Sequence, residues 1–131
     1  MRIRGRQVQC CGPAWASEYA YRARRMMDAY RRRGAARVYW LLLPAPRDHD
    51  RREIARAVNA ALAVAAAPYR AQVRILDLGR IFTPGGRYRD AMSVGGRDQI
   101  VRESDGIHLN DTGAKIAASS VLGAVGRDFS L

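Results

Sequence analysis

The sequence predicts an α/β fold, and three observations carry that expectation. Apolar periodicity alternates along the chain between helical spacing and short β-rich runs. The clearest run, Arg37-Val38-Tyr39-Trp40-Leu41-Leu42-Leu43, is apolar at successive positions, as in a parallel strand covered on both faces. The order helix, strand, helix, strand, loop, helix implies right-handed crossovers and a mainly parallel sheet flanked by helices.

Each element follows from local chemistry. Trp15, Tyr19, Met26 and Tyr30, with Ala23 and Met27 between them, share one face and predict a helix over 15–33, ended by Gly34. Gln7 to Cys11 ahead of it reads as a possible third strand. The strand over 37–43 is stopped by Pro44 and Pro46. Ile54, Val58, Leu62 and Ala65 predict a second helix from about Asp50 to Ala67, closed by Pro68. Val73 to Leu78 is a second short strand. Thr83 to Gly96, with Pro84, Gly85, Gly86, Gly95 and Gly96, reads as a loop long enough to be functional. Asn110 or Asp111 can cap a last helix from about Thr112 to Val125. Two or three parallel strands leave edges uncovered, so residues 1–131 read as a single partial domain.

Composition bounds the function. With 131 residues, 48% of them hydrophobic, the chain can bury a core without disulfide or metal staples, which excludes disordered and collagen-like classes. Its longest apolar stretches, Ala60 to Ala67 and Val38 to Leu43, fall far short of the ~20 residues that span a bilayer. The basic start, Met1 to Arg6, is followed by polar Gln7 and Gln9 where a secretory signal would be apolar, so no export signal is expected in this stretch. Localisation stays open, and a longer form belongs equally well in the cell envelope or outside the cell. Adjacent Cys10 and Cys11 exclude a disulfide framework and are too few for a zinc site; they read as ordinary residues at a strand end, with a vicinal disulfide as the alternative.

A net charge of +11 implies attraction to polyanions. All but one of the 23 basic side chains are arginine, the exception being Lys115, a skew that GC-rich codon usage also produces. Arg22, Arg24, Arg25 and Arg31-Arg32-Arg33, interleaved with Tyr19, Tyr21 and Tyr30, have the composition of a strand-tracking surface. They read instead as a solvated helix face with tyrosines turned to the core, and no specific nucleic-acid partner is expected.

Chemistry concentrates in Ser104-Asp105-Gly106-Ile107-His108-Leu109-Asn110. In a turn ahead of a helix, an acid three residues before a histidine can reach its Nδ1, fix the tautomer and leave Nε2 free to accept a proton. The plainer alternative has Asp105 turning the loop and His108 at the surface. Arg47, just past the end of a strand, stands where α/β sheets gather ligand groups and is a candidate for an anionic substrate; pairing with Asp48 or Asp50 is its alternative. His49 has no acid at the Asp-x-x-His spacing.

The block Ser-Asp-Gly-Ile-His-Leu, followed by Asn-Asp-x-Gly and a small-residue helix, resembles the C-terminal motif of the SGNH (GDSL-type) hydrolases. The strand running into Pro44-Ala45-Pro46-Arg47, and Val73 to Leu78 with Phe82-Thr83-Pro84-Gly85-Gly86-Arg87-Tyr88 after it, resemble the late strands of a bacterial cell-envelope branch of that family. The resemblance spans about 13–126. It implies a partial flavodoxin-like three-layer α/β/α sandwich, His108 as general base, Asp105 as its orienting acid, and hydrolysis or transfer of ester-linked acyl groups without cofactor or metal. The substrate it implies bears an ester, a cell-envelope polysaccharide being one such class.

The family's Gly-Asp-Ser nucleophile motif and Gly-x-Asn-Asp oxyanion motif have no counterpart here. Asn59 falls inside a helix and Asn110 reads as a cap; none of the six serines, Ser17, Ser93, Ser104, Ser119, Ser120 and Ser130, follows a strand and opens a helix. The expectation is therefore the C-terminal part of such an esterase, inactive alone, with the nucleophile upstream of Met1. The alternatives are a non-enzymatic basic binding module and a noncatalytic relative.

Overall fold

The computed structural model describes residues 1–130. It is a mixed α/β structure in which four helices surround one parallel strand pair and two antiparallel hairpins.

A small hairpin, β1 (Arg2–Ile3) and β2 (Arg6–Gln7), turns through Arg4 and Gly5, both at positive φ. The strand expected over Gln7 to Cys11 therefore shrinks to Gln7, which pairs with Arg2 and not with the parallel sheet. Cys10 and Cys11 are bonded to each other as a vicinal disulfide, the less favoured of the two expectations. Gly12 and Pro13 follow them, and Pro13 needs no backbone donor at the first helical position. Helix α1 (Pro13–Tyr30) starts there. It stops at Tyr30 rather than Arg33 because Arg32, Arg33 and Gly34 all take positive φ. Trp15, Ala20, Ala23 and Met27 form its buried stripe, while Met26 and Tyr30, assigned to that face by spacing, are exposed.

Strand β3 (Val38–Leu42) pairs in parallel with β4 (Val73–Asp77), Trp40 opposite Ile75. Between them runs α2 (His49–Ala66), capped by the Asp48 carboxylate, which accepts from the Arg51 N–H. Because side chains alternate across a strand, Val38, Trp40 and Leu42 join Val73 and Ile75 on one face, against Trp15, Ala23 and Met27 of α1 and Val58, Leu62 and Ala65 of α2. On the other face Tyr39 and Arg74 reach Asp128 of α4 (Asp111–Phe129); the Tyr39 hydroxyl donates to Oδ2 at 2.9 Å and the guanidinium to both oxygens. Helices thus touch both faces. Among the described residues, however, the only parallel pairing is this single pair beside two antiparallel hairpins, so the expected mainly parallel sheet is not seen.

Leu78, assigned to the second strand by its apolar character, instead opens the short helix α3 (Leu78–Phe82), because the Asp77 carboxylate accepts from the Gly79 N–H and turns the chain. The loop expected over Thr83 to Gly96 also contains structure. Its second half is the hairpin strand β5 (Ala91–Val94), which pairs with β6 (Arg97–Ile100) through Gly95-Gly96, both at positive φ. Two central residues at positive φ make the tight turn that joins two-residue hairpins, a signal the glycine density obscured. Leu78, Phe82, Val101 and Ala117 form a second core, with Met92, Val94, Leu109 and Ile116 packed on it. That core carries the segment between β6 and α4.

Candidate active site

Residues 103–108 form a loop closed at its base. Arg102 and Leu109 bridge as an antiparallel pair, the Glu103 N–H donates to the His108 carbonyl at 2.9 Å, and the Asn110 N–H to the Val101 carbonyl at 3.2 Å. Asn110 then starts α4: its Oδ1 accepts from the Gly113 N–H at 3.0 Å and its Nδ2 donates to the Ile100 carbonyl at 2.9 Å. It is the expected cap, and it also ties the helix to the end of β6.

Inside this loop the expected acid and histidine meet. The N–H groups of Ile107 and His108 both donate to Asp105 Oδ1, at 2.8 and 3.0 Å, and Asp105 Oδ2 lies 2.6 Å from His108 Nδ1. Three donors on one carboxylate favour its ionised form. The Ile107 amide, then the His108 side chain, then the His108 amide hold the Asp105 pKa down, from its ordinary 3.8 to about 2. An ionised acceptor at Nδ1 selects the Nδ1–H tautomer and leaves Nε2 with its lone pair. The His108 side chain is 75% exposed, and Nε2 has no hydrogen-bond partner among the described residues. Chemically the pair is an oriented base open to solvent.

Gly106, at φ +71, permits the turn, and a Cβ there would lie 2.7 Å from the Cβ of Arg47. The Arg47 N–H donates to the Gly106 carbonyl at 2.9 Å and its Nη1 to the Ser104 carbonyl at 3.3 Å. The Arg47 guanidinium is paired with Asp90 at 2.9 Å and bonds the Tyr88 hydroxyl at 3.2 Å, so its carboxylate partner is neither Asp48 nor Asp50. Tyr88 donates to Asp90 in turn, and these two partners lower the Asp90 pKa, the tyrosine more than the arginine. The substrate candidate is thereby also a buttress of the His108 loop.

The remaining candidates fall elsewhere. Asn59 caps the end of β3: it accepts from the Leu43 N–H at 2.9 Å and donates to the Leu43 carbonyl at 2.8 Å. His49 is exposed and lies 3.4 Å from Asp50, beyond a good hydrogen bond. No serine hydroxyl bonds to His108 among the described residues. Ser17 lies in α1, Ser93 in β5, and Ser119 and Ser120 in α4, where the Ser119 hydroxyl donates to the Lys115 carbonyl. On α1, Arg22 pairs with Glu18, Arg24 donates to the Val64 carbonyl, and Arg31 pairs with Asp28 and lies over Tyr69. Arg25, Arg32 and Arg33 are exposed, and so are Tyr21 and Tyr30, expected from the sequence to turn to the core.

Two residues that hold the site, Arg102 and Asp90, have no signal in the sequence, and Tyr88 stands in the stretch the resemblance picked out but without a role. Arginine is so abundant in this chain that no pattern singles out one that is buried.

The profile of a family described as "protein of unknown function (DUF459)" matches residues 1–124. The chain belongs to the DUF459 family. The matched span takes in both cores and the whole Asp105/His108 loop of this DUF459 chain. No curated protein matches it. No helix among the described residues is long and apolar enough to cross a membrane.

Proposed function

We propose that this DUF459 chain carries the base half of an SGNH-like serine esterase or acyl hydrolase, with His108 as general base and Asp105 as the acid that orients it. The observation that carries this reading is the 2.6 Å approach of Asp105 Oδ2 to His108 Nδ1 inside a loop that fixes both residues. DUF459 is an SGNH-hydrolase-like family, which supports the assignment.

In the proposed reaction Nε2 takes the proton of a serine hydroxyl as that oxygen attacks an ester carbonyl, and gives it to the leaving alcohol. It then takes a proton from water as the water attacks the acyl-serine, and returns it to the serine oxygen as the acid leaves. The Asp105 carboxylate stabilises the imidazolium formed in between. No serine hydroxyl meets His108 among the described residues, so the serine and the oxyanion donors of the proposed reaction lie outside this loop. A cleft of about 250 Å³ beside the site, walled mainly by Leu43, Pro44, Pro46, Ile54 and Ile107 with the charged Arg51 among them, supports a largely apolar acyl group as the bound portion. Arg47 would meet an anionic substrate only by exchanging its pairing with Asp90, and a cell-envelope polysaccharide ester is the substrate class that the resemblance suggests.

The native gene product, treated with a serine-directed phosphonate and assayed on a p-nitrophenyl ester, tests the proposal. Labelling of one serine, with hydrolysis abolished by His108→Ala, is expected. A product that neither labels nor hydrolyses any ester in a short-chain to long-chain series would overturn it. The 131-residue chain alone is expected to be inactive.

A further inference from the structure

We infer that Arg102 is a positioning residue for His108, a role that rests on the proposed Asp105/His108 pair. Arg102 is 2% exposed, the one buried charged side chain among the described residues. Its Nη1 donates to the Ile107 carbonyl at 2.7 Å and its Nη2 to the Ala45 carbonyl at 2.7 Å. Ala45 lies just past the end of β3, and its own N–H donates to the buried hydroxyl of Thr83 at 3.0 Å. One guanidinium, itself buried, therefore ties the part-buried peptide carbonyl immediately before His108 to the end of the parallel sheet.

The chemistry of the clamp is specific to arginine. A planar fork satisfies two divergent carbonyls at once, which a lysine ammonium on a flexible stem does not. The cost is visible: burial pulls the Arg102 pKa down, Nε has no hydrogen-bond partner among the described residues, and no carboxylate pairs with it directly. What faces the buried charge is the Tyr88 ring, 5.4 Å away, and the fields of Asp90 and Asp105. A fixed cation behind the loop favours the ionised Asp105 carboxylate, and the fixed Ile107 carbonyl sets where the His108 backbone begins. Both act on the same outcome, an Nδ1–H imidazole held against Asp105.

The chain has two histidines, His49 and His108, so long-range ¹H–¹⁵N correlation spectra of the imidazoles resolve both, with His49 as an internal control. In the wild-type chain at alkaline pH, His108 is expected as the Nδ1–H tautomer. An Nε2–H tautomer there would defeat the Asp105/His108 reading itself. In Arg102→Lys and Arg102→Gln, His108 is expected to lose most of its Nδ1–H population while the His49 signals stay in place. Leu62→Ala, in the other core, is expected to lower the melting temperature without moving the His108 tautomer. Retention of Nδ1–H by His108 in either folded Arg102 variant overturns the positioning role and leaves the dyad standing. Should neither variant fold, hydrogen exchange in the wild type decides: the Ile107 and His108 amides are expected to exchange together with the Arg102 Nη protons, and faster loop exchange overturns the inference.

Discussion

Asp105 performs two tasks with one carboxylate. Oδ1 shapes the loop by accepting from two backbone amides, and Oδ2 orients His108. Asp105→Asn keeps much of the shape but replaces an acceptor-only group with one that donates, so it strikes the orienting task selectively. In the native product we expect it to lower kcat by roughly 10⁴-fold, the loss seen when a triad acid is neutralised, with little change in KM. The same residue makes the loop acid-sensitive. Its folded pKa lies below its ordinary value, so the stability it contributes is complete above about pH 4 and is lost as pH falls through about 2. In an NMR titration the Asp105 carboxylate carbon should move in that window, and titration of that carbon at the ordinary 3.8 would contradict the assignment.

The helices and strands around the loop were unevenly legible in the sequence. Both parallel strands, α2 and the Asn110 cap were readable because burial on two faces and capping chemistry leave local marks. The β5–β6 hairpin was not, because Arg97, Asp98 and Gln99 carry no apolar alternation and the glycine pair looked like one more loop signal. Asp105 and His108 were readable from spacing and resemblance. Arg47 was readable as a site residue and Tyr88 as part of a turn near it, but not their roles as supports, since Arg47 reaches Tyr88 and Asp90, and Arg102 reaches Ala45, only across large sequence separations. The capping residue can be weighed directly: Asn110→Ala should cost about 1 kcal/mol in a urea melt, and more if the tie to Ile100 matters. Gly106→Ala meets both a left-handed backbone and the Arg47 Cβ, and about 1–3 kcal/mol of destabilisation is expected.

Two small cores, rather than one, hold the molecule. Met27 anchors the core between α1, α2 and the sheet, and Phe82 anchors the core under the His108 loop; both are fully buried. Phe82→Ala should cost about 3–5 kcal/mol and blur the loop resonances, whereas Met27→Ala should destabilise the chain comparably and leave the loop pattern recognisable in its folded fraction. Meanwhile Leu41, Leu43 and Ile54 remain exposed around the end of β3. Apolar groups and unpaired strand edges of this kind favour association. Sedimentation velocity of the isolated chain should therefore show mass rising with concentration.

The burial of Arg102 also writes a pattern into the way the protein would be digested. Trypsin must draw an arginine side chain out into its own pocket before it can cut, and every other arginine of this chain is at least partly open to solvent. Brief digestion should sever the chain at many places and spare the Arg102–Glu103 bond. The peptide carrying Asp105 and His108 would then be released still joined to the residues before it, an uncut stretch in a chain otherwise dense with cleavage sites.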